Sequence, residues 1–92
     1  MLDKVAINKE EIETLIESQE YDLAIEQIEH VKDIMELITK DRVNKMIKEG
    51  IIFEQERRAF SKLIKDNINN KILEDPEYVL MSEEDIRKIR NS

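Results

Sequence analysis

Five carboxylates, Asp22, Glu26, Glu29, Asp33 and Glu36, follow one another at intervals of four, three, four and three, the spacing that lines side chains along one strip of an α-helix. Acids arranged in this way repel one another and attract cations, so the strip is either a surface for a basic partner or a solvated face. On the other side of the same helix Tyr21, Ala24, Ile28, Val31, Met35 and Ile38 recur at three, four, three, four and three, a heptad-like apolar seam. One helix thus carries a core face and an acidic face.

The elements that must position this strip are helical. Asn8 with Glu11 three residues on forms a capping-box pattern, and Ile12, Leu15 and Ile16 give the helix after it an apolar side, with Glu10, Glu13 and Glu17 turned away. That helix is expected to end near Ser18-Gln19-Glu20, although nothing in those residues forbids one bent helix from Lys9 to Ile38. The second helix, Tyr21 to Ile38, loses its pattern where Arg42 occupies the next seam position. A new short helix through Val43, Met46 and Ile47 is expected after it, closed by Gly50 in the left-handed conformation. Ile52, Phe60, Leu63, Ile64, Ile68 and Ile72 mark a third helix over about Phe53 to Leu73, broken by Asp75-Pro76. Ser82 opens a last one, with Glu83, Glu84 and Asp85 in its first turn and Arg87, Lys88 and Arg90 toward its end, the order the helix dipole favours.

Composition agrees with this. The 92 residues contain one Gly, one Pro and no Cys. An all-α chain is therefore expected, a single helical domain over residues 1–92 folded as a small bundle of roughly three to five helices. Disulfides, thiolate zinc sites and cysteine nucleophiles are excluded, and a single Gly makes no phosphate-cradling loop. Met1-Leu2-Asp3-Lys4 has no apolar run of signal-peptide type and no stretch approaches the roughly 20 apolar residues of a membrane span, so a cytoplasmic protein without membrane contact is expected. Charge is segregated along the chain. Up to Glu36 there are eleven acids and three bases, a net of −8; the remainder has eleven acids and twelve bases, a net of +1, giving −7 overall. Such asymmetry serves either antiparallel packing of the two halves or an acidic surface aimed at a basic partner.

Residues Ile12 to Val31 resemble a tetratricopeptide helix pair. Tyr21, Ala24 and Ile28 fall where that repeat places an aromatic, a small and a bulky residue in its second helix, after a turn at Ser18-Gln19-Glu20. The chain departs from the repeat at Ile12, Gln19 and Glu36, where the repeat has a small residue, a glycine and a proline, and no second copy follows. The resemblance implies an N-terminal helical hairpin. Glu10-x-x-Glu13 and, after twelve intervening residues, Glu26-x-x-Glu29 are similar to the Glu-x-x-Glu and Glu-x-x-Asp pairs of all-α nucleoside triphosphate pyrophosphohydrolases. This second resemblance implies a magnesium-dependent enzyme as a minor alternative. Magnesium carboxylates must converge on a protected cavity, whereas Glu26 and Glu29 lie opposite the apolar seam, and the final Asp of the motif is missing. His30, on the flank of the seam near Leu23, Ile34 and Leu37, has no second histidine to share a metal and is read as a boundary residue.

Two further sets remain. Arg57, Arg58, Lys62, Lys65 and Lys71 give the third helix a basic exposed side, the basis of an alternative reading as a nucleic-acid-binding protein, although Glu54, Glu56 and Asp66 interleave with them. Tyr78, Val79, Leu80 and Met81 form an apolar cluster that either folds back on the helices or anchors a partner, while Phe53 and Phe60 read as core. The expected function is non-catalytic, without cofactor or metal: a small inhibitor, antitoxin-like or adaptor protein whose acidic face, Asp22 to Glu36, meets a protein partner with a basic surface. The seam has the spacing of both bundle cores and coiled-coil dimers, so a homodimer is the other expected assembly.

Overall fold

In the computed structural model, residues 4–92 are described. Their order is β1 (Val5–Asn8), α1 (Lys9–Glu17), α2 (Tyr21–Lys48), a short 3-10 turn at Glu54–Glu56, α3 (Arg57–Ile72), β2 (Tyr78–Met81) and α4 (Glu83–Arg90). Met1 to Asp3, part of the N-terminal reading above, lie outside the described residues. The chain is mostly helical, as its composition demands. It is not all-α, because β1 and β2 pair as a two-stranded antiparallel ribbon, with Val5 opposite Met81, Ala6 opposite Leu80, Ile7 opposite Val79 and Asn8 opposite Tyr78.

The ribbon forms because both segments are short apolar runs that neither neighbouring helix can absorb. Val5, Ala6 and Ile7 are all buried, the pattern of a strand covered on both faces. Lys9 N–H donates to the Glu77 carbonyl (2.8 Å) and sets the phase of the ladder, which turns the Ala6 N–H and Lys4 carbonyl away from β2. A side chain meets them there. The buried Asn69 of α3 accepts from Ala6 N–H through Oδ1 (3.0 Å) and donates from Nδ2 to the Lys4 carbonyl (3.2 Å), doing what a third strand would do.

The main core lies between the ribbon, α1, α2 and α4. Val5, Ile7, Ile12, Ala24, Ile28, Met35 and Ile86 are its buried members, with Val79 and Met81 of β2 packed against them. Val43 and Ile52 are buried outside this cluster. Because α2 has 28 residues it is about 42 Å long at 1.5 Å per residue, and it sets the 49 Å long axis of the molecule. The radius of gyration, 15.2 Å, exceeds the roughly 12 Å of a compact chain this size for the same reason.

Local signals place the helix ends. Asn8 caps α1 by accepting from Glu11 N–H (3.0 Å), and Glu11, instead of completing the box, accepts from Gln27 Nε2 of α2 (2.8 Å). A break at Ser18-Gln19-Glu20 separates α1 from α2, which excludes the single bent helix. Gln19 is left-handed there (φ 60°), its N–H bonded to the Ile16 carbonyl and that of Glu20 to the Leu15 carbonyl, a Schellman closure with glutamine in the glycine position. Gly50 (φ 75°) closes α2 in the same way, through Gly50 N–H to Ile47 and Ile51 N–H to Met46.

Three expectations are corrected. The short helix through Val43 is the continuation of α2: the apolar seam precesses around a straight helix, so Thr39 and Val43 take over the buried positions, while Ile38 and Arg42 drift into exposure. Leu63 is 54% exposed, because the residues of α3 that turn inward are Phe60, Ile64, Ile68, Asn69 and Ile72, and Phe53, in the link before the 3-10 turn, is 70% exposed. His30, expected at the boundary of the core, is exposed, as are Leu23, Ile34 and Leu37.

Two stability changes follow. Replacing Asn69 with Ala strands the buried Ala6 N–H and should lower unfolding free energy by about 2 kcal/mol in urea titration. Replacing Gln19 with Gly removes left-handed strain and should raise it by up to about 1 kcal/mol, read as a higher denaturation midpoint at unchanged slope.

Candidate functional site

Two charged regions of opposite sign share α2. The first is the acidic strip. Asp22, Glu26, Glu29, Asp33 and Glu36 are all exposed, opposite the buried Ala24, Ile28 and Met35. Its ends are tied to other elements: Asp22 accepts from Arg90 of α4 (3.2 Å), and Glu36 pairs with Lys65 of α3. Among the described residues, Glu26, Glu29 and Asp33 make no ion pair or side-chain hydrogen bond, so the middle of the strip keeps its full negative field. Beside it on the helical wheel, Leu23 (48% exposed), Ile34 (46%) and Leu37 (62%) form an apolar strip open to solvent, with His30 among them. The helix therefore has three faces: buried, acidic and exposed apolar.

The second region is a cleft of about 560 Å³ where α2, α3 and the start of β1 meet. Its cations are Lys4, Lys32, Arg58, Lys62 and Lys65; its acids are Glu36 and Asp66; Val5 and Met35 supply apolar surface. Counted with Asp85 and Glu83, which pair with two of these cations from outside the lining, five cations meet four carboxylates among the described residues, a formal +1 inside a chain of net −7. Three of the cations have acidic neighbours: Lys4 with Asp85 (3.7 Å), Lys32 with Glu83 (3.7 Å) and Lys65 with Glu36. Arg58 and Lys62 have no such partner among the described residues.

The cleft divides the basic set read from the sequence. Arg58, Lys62 and Lys65 line it, at intervals of four and three on α3. Arg57 lies outside and is held by Glu54 (2.7 Å from Nε) and Asn44 (2.7 Å from Nη1). The Arg57–Glu54 pair lowers the pKa of Glu54 and raises that of Arg57, in each case first through their hydrogen bond. Lys71 is exposed away from the cleft. Lys4 and Lys32 were absent from the basic set, since they stand on other elements, and only the packing of β1 and α2 against α3 brings them in.

The apolar cluster Tyr78 to Met81 is β2. Val79 and Met81 pack on the core, and Leu80, opposite Ala6, is 37% exposed. Glu10, Glu13, Glu26 and Glu29 are exposed on α1 and α2, and among the described residues no three His, Asp or Glu side chains gather as a metal site. Among the described residues no helix is long and apolar enough to cross a membrane. No family model, curated protein or solved structure matches the chain.

The α4 N-terminus holds one side of the cleft through the Lys4–Asp85 and Lys32–Glu83 pairs. Ser82 and Asp85 cap it reciprocally, Asp85 Oδ2 accepting from Ser82 N–H (2.9 Å) and Ser82 Oγ from Asp85 N–H (3.2 Å). The bond from the Ser82 backbone holds the Asp85 carboxyl below the usual carboxylate range; the Ser82 hydroxyl and the charges of Lys4 and Lys88 add to this, while burial opposes it. A carboxylate depressed in the folded state stabilises fully above its unfolded pKa, and that contribution is lost as pH falls through the folded value. Replacing Asp85 with Asn should therefore lower the melting temperature at neutral pH and flatten its fall below about pH 4, measured by circular dichroism across pH.

Proposed function

We infer that this chain is a non-catalytic interaction protein, of inhibitor, antitoxin-like or adaptor type, whose α2 docks on a protein partner with a basic surface. The observation that carries the reading is the pairing on one rigid helix of an acidic strip without intrachain partners in its middle, Glu26, Glu29 and Asp33, with an adjoining exposed apolar strip, Leu23, Ile34 and Leu37. The two strips divide the work of binding. The acids raise the encounter rate with a basic surface and make it salt-dependent, and burial of the apolar side chains sets the lifetime of the complex. In this reading the four helices act as a bundle-like support, with α1 and α2 as its helical hairpin, that holds α2 in place. Leu80, on the solvent side of β2, is exposed and open to a partner, and Tyr78 beside it on the chain is half-buried.

Association with a second copy of the chain is less favoured along this helix. Ala24, Ile28 and Met35 of the heptad seam are already buried within one chain, and two acidic strips brought face to face repel. Nucleic acid is disfavoured on this face by sign alone.

The test is capture of partners from native-host lysate on the tagged chain, after nuclease treatment, with wild type beside a Glu26→Lys, Glu29→Lys, Asp33→Lys variant and a Leu37→Asp variant. A partner whose association slows about tenfold or more at low salt on charge reversal, and whose complex dissociates faster with Leu37→Asp, is the expected result. Binding indifferent to both changes would place the interface elsewhere.

A further inference from the structure

We propose that the cleft between α2, α3 and β1 is a binding site for a phosphate-bearing small molecule. Its volume, about 560 Å³, lies within the roughly 300–1,000 Å³ of small-molecule sites. Its charge runs against the rest of the chain: with Asp85 and Glu83 counted against Lys4 and Lys32, the described residues still leave the cleft a formal +1 within a composition of net −7. The α3 cations make the point more sharply. Arg58, Lys62 and Lys65 occupy successive turns of one helix face, and like charges at such spacing destabilise a helix. Lys65 has Glu36 to offset it; Arg58 and Lys62 have no acidic partner among the described residues. An anion placed between them removes the repulsion and gains charge-assisted hydrogen bonds, with the planar Arg58 guanidinium suited to bind two phosphate oxygens together.

Concavity and mixed lining favour a small ligand over a nucleic-acid backbone. A duplex or strand tracks an extended cationic surface, whereas here Arg57 is engaged by Glu54 and Asn44, and Lys71 stands apart, so the cations that remain face one hollow. The aliphatic stems of Lys62 and Lys65, beside the almost fully buried Val5 and Met35, offer apolar contact to whatever carries the phosphate. Asp66, the second carboxylate of the lining, limits the number of negative charges the site accepts and offers an acceptor to a hydroxyl or amine of the ligand. The source of the phosphate is either inorganic polyphosphate or a phosphorylated organic compound such as a nucleotide.

The experiment is isothermal titration of the full chain, at low ionic strength, with sodium pyrophosphate and separately with adenosine diphosphate. The variants are Arg58→Ala with Lys62→Ala and, as a control that removes the same charge outside the cleft, Lys40→Ala with Lys71→Ala. The expected result is one site per chain with a dissociation constant below about 1 mM, weakened about tenfold or more by the cleft pair and less than about twofold by the control pair. Tighter binding of adenosine diphosphate than of pyrophosphate assigns the site to an organic phosphate; the reverse assigns it to inorganic polyphosphate. No heat of binding up to about 10 mM, or equal losses in both variants, would falsify the proposal. So would a thymidylate 20-mer binding more tightly than either probe and losing affinity in the Lys71 control, which would make the surface a nucleic-acid interface. Both cleft residues are exposed, and removing them relieves repulsion, so the variant should melt no lower than wild type.

Discussion

The carboxamide of Asn69 joins parts of the chain that otherwise have little reason to stay together. A two-stranded ribbon is at best marginal by itself, and its free edges carry unsatisfied backbone groups. Asn69 meets one of those edges from inside α3, giving an acceptor to Ala6 and a donor to Lys4. This fixes α3 beside β1 and so sets the width of the hollow in which Arg58, Lys62 and Lys65 face Lys4 and Lys32. It also occupies the edge that another strand would use, so the ribbon is protected on that side. A hydrophobic residue in its place would fill the volume but leave both backbone groups without partners.

From that anchor the division of labour on α2 becomes intelligible. The ribbon, α1 and α4 cover one face of its N-terminal half, through Ala24, Ile28 and Met35. They leave the acids and the apolar strip uncovered. Two ion pairs, Arg90 of α4 with Asp22 and Lys65 of α3 with Glu36, draw on the ends of the acidic strip. Opposite fields then lie on the two sides of Glu36, negative toward Asp33 and positive in the cleft. Exposed ion pairs of this type contribute little stability, so their effect is mainly to orient the side chains that bound each field.

Much of the helical layout was legible because its signals are local. Asn8 and Ser82 accept from the backbone three residues on, Gly50 takes the left-handed conformation, and Asp75-Pro76 ends α3, each an effect within one turn of chain. The exposure of Asp22 to Glu36 follows from periodicity alone. The ribbon was not legible, since each strand has four residues and paired residues lie seventy or more positions apart, with no hairpin turn between them. Arg42 misled because a heptad was extended past the point where a straight helix keeps it. Phe53 and Leu63 misled because hydrophobicity marks residues able to be buried without showing whether a surface exists to bury them. The cleft needs three elements at once: Lys4, Lys32 and Arg58 are unrelated until α3 docks on β1.

The pairing of Val5 with Met81 also bears on how the chain comes to be made. Helices α1 and α2 are complete by Lys48, and their local contacts allow them to form as soon as they emerge from the ribosome. The partner of β1 arrives only with Tyr78 to Met81. Until then Val5 and Ile7, together with the buried face of α2, stand without the strand and the last helix that cover them. Synthesis therefore passes through a stage in which a long amphipathic helix is exposed on its apolar side, and any factor that shelters nascent chains would meet this protein at Ala24, Ile28 and Met35 before its own C-terminal residues do.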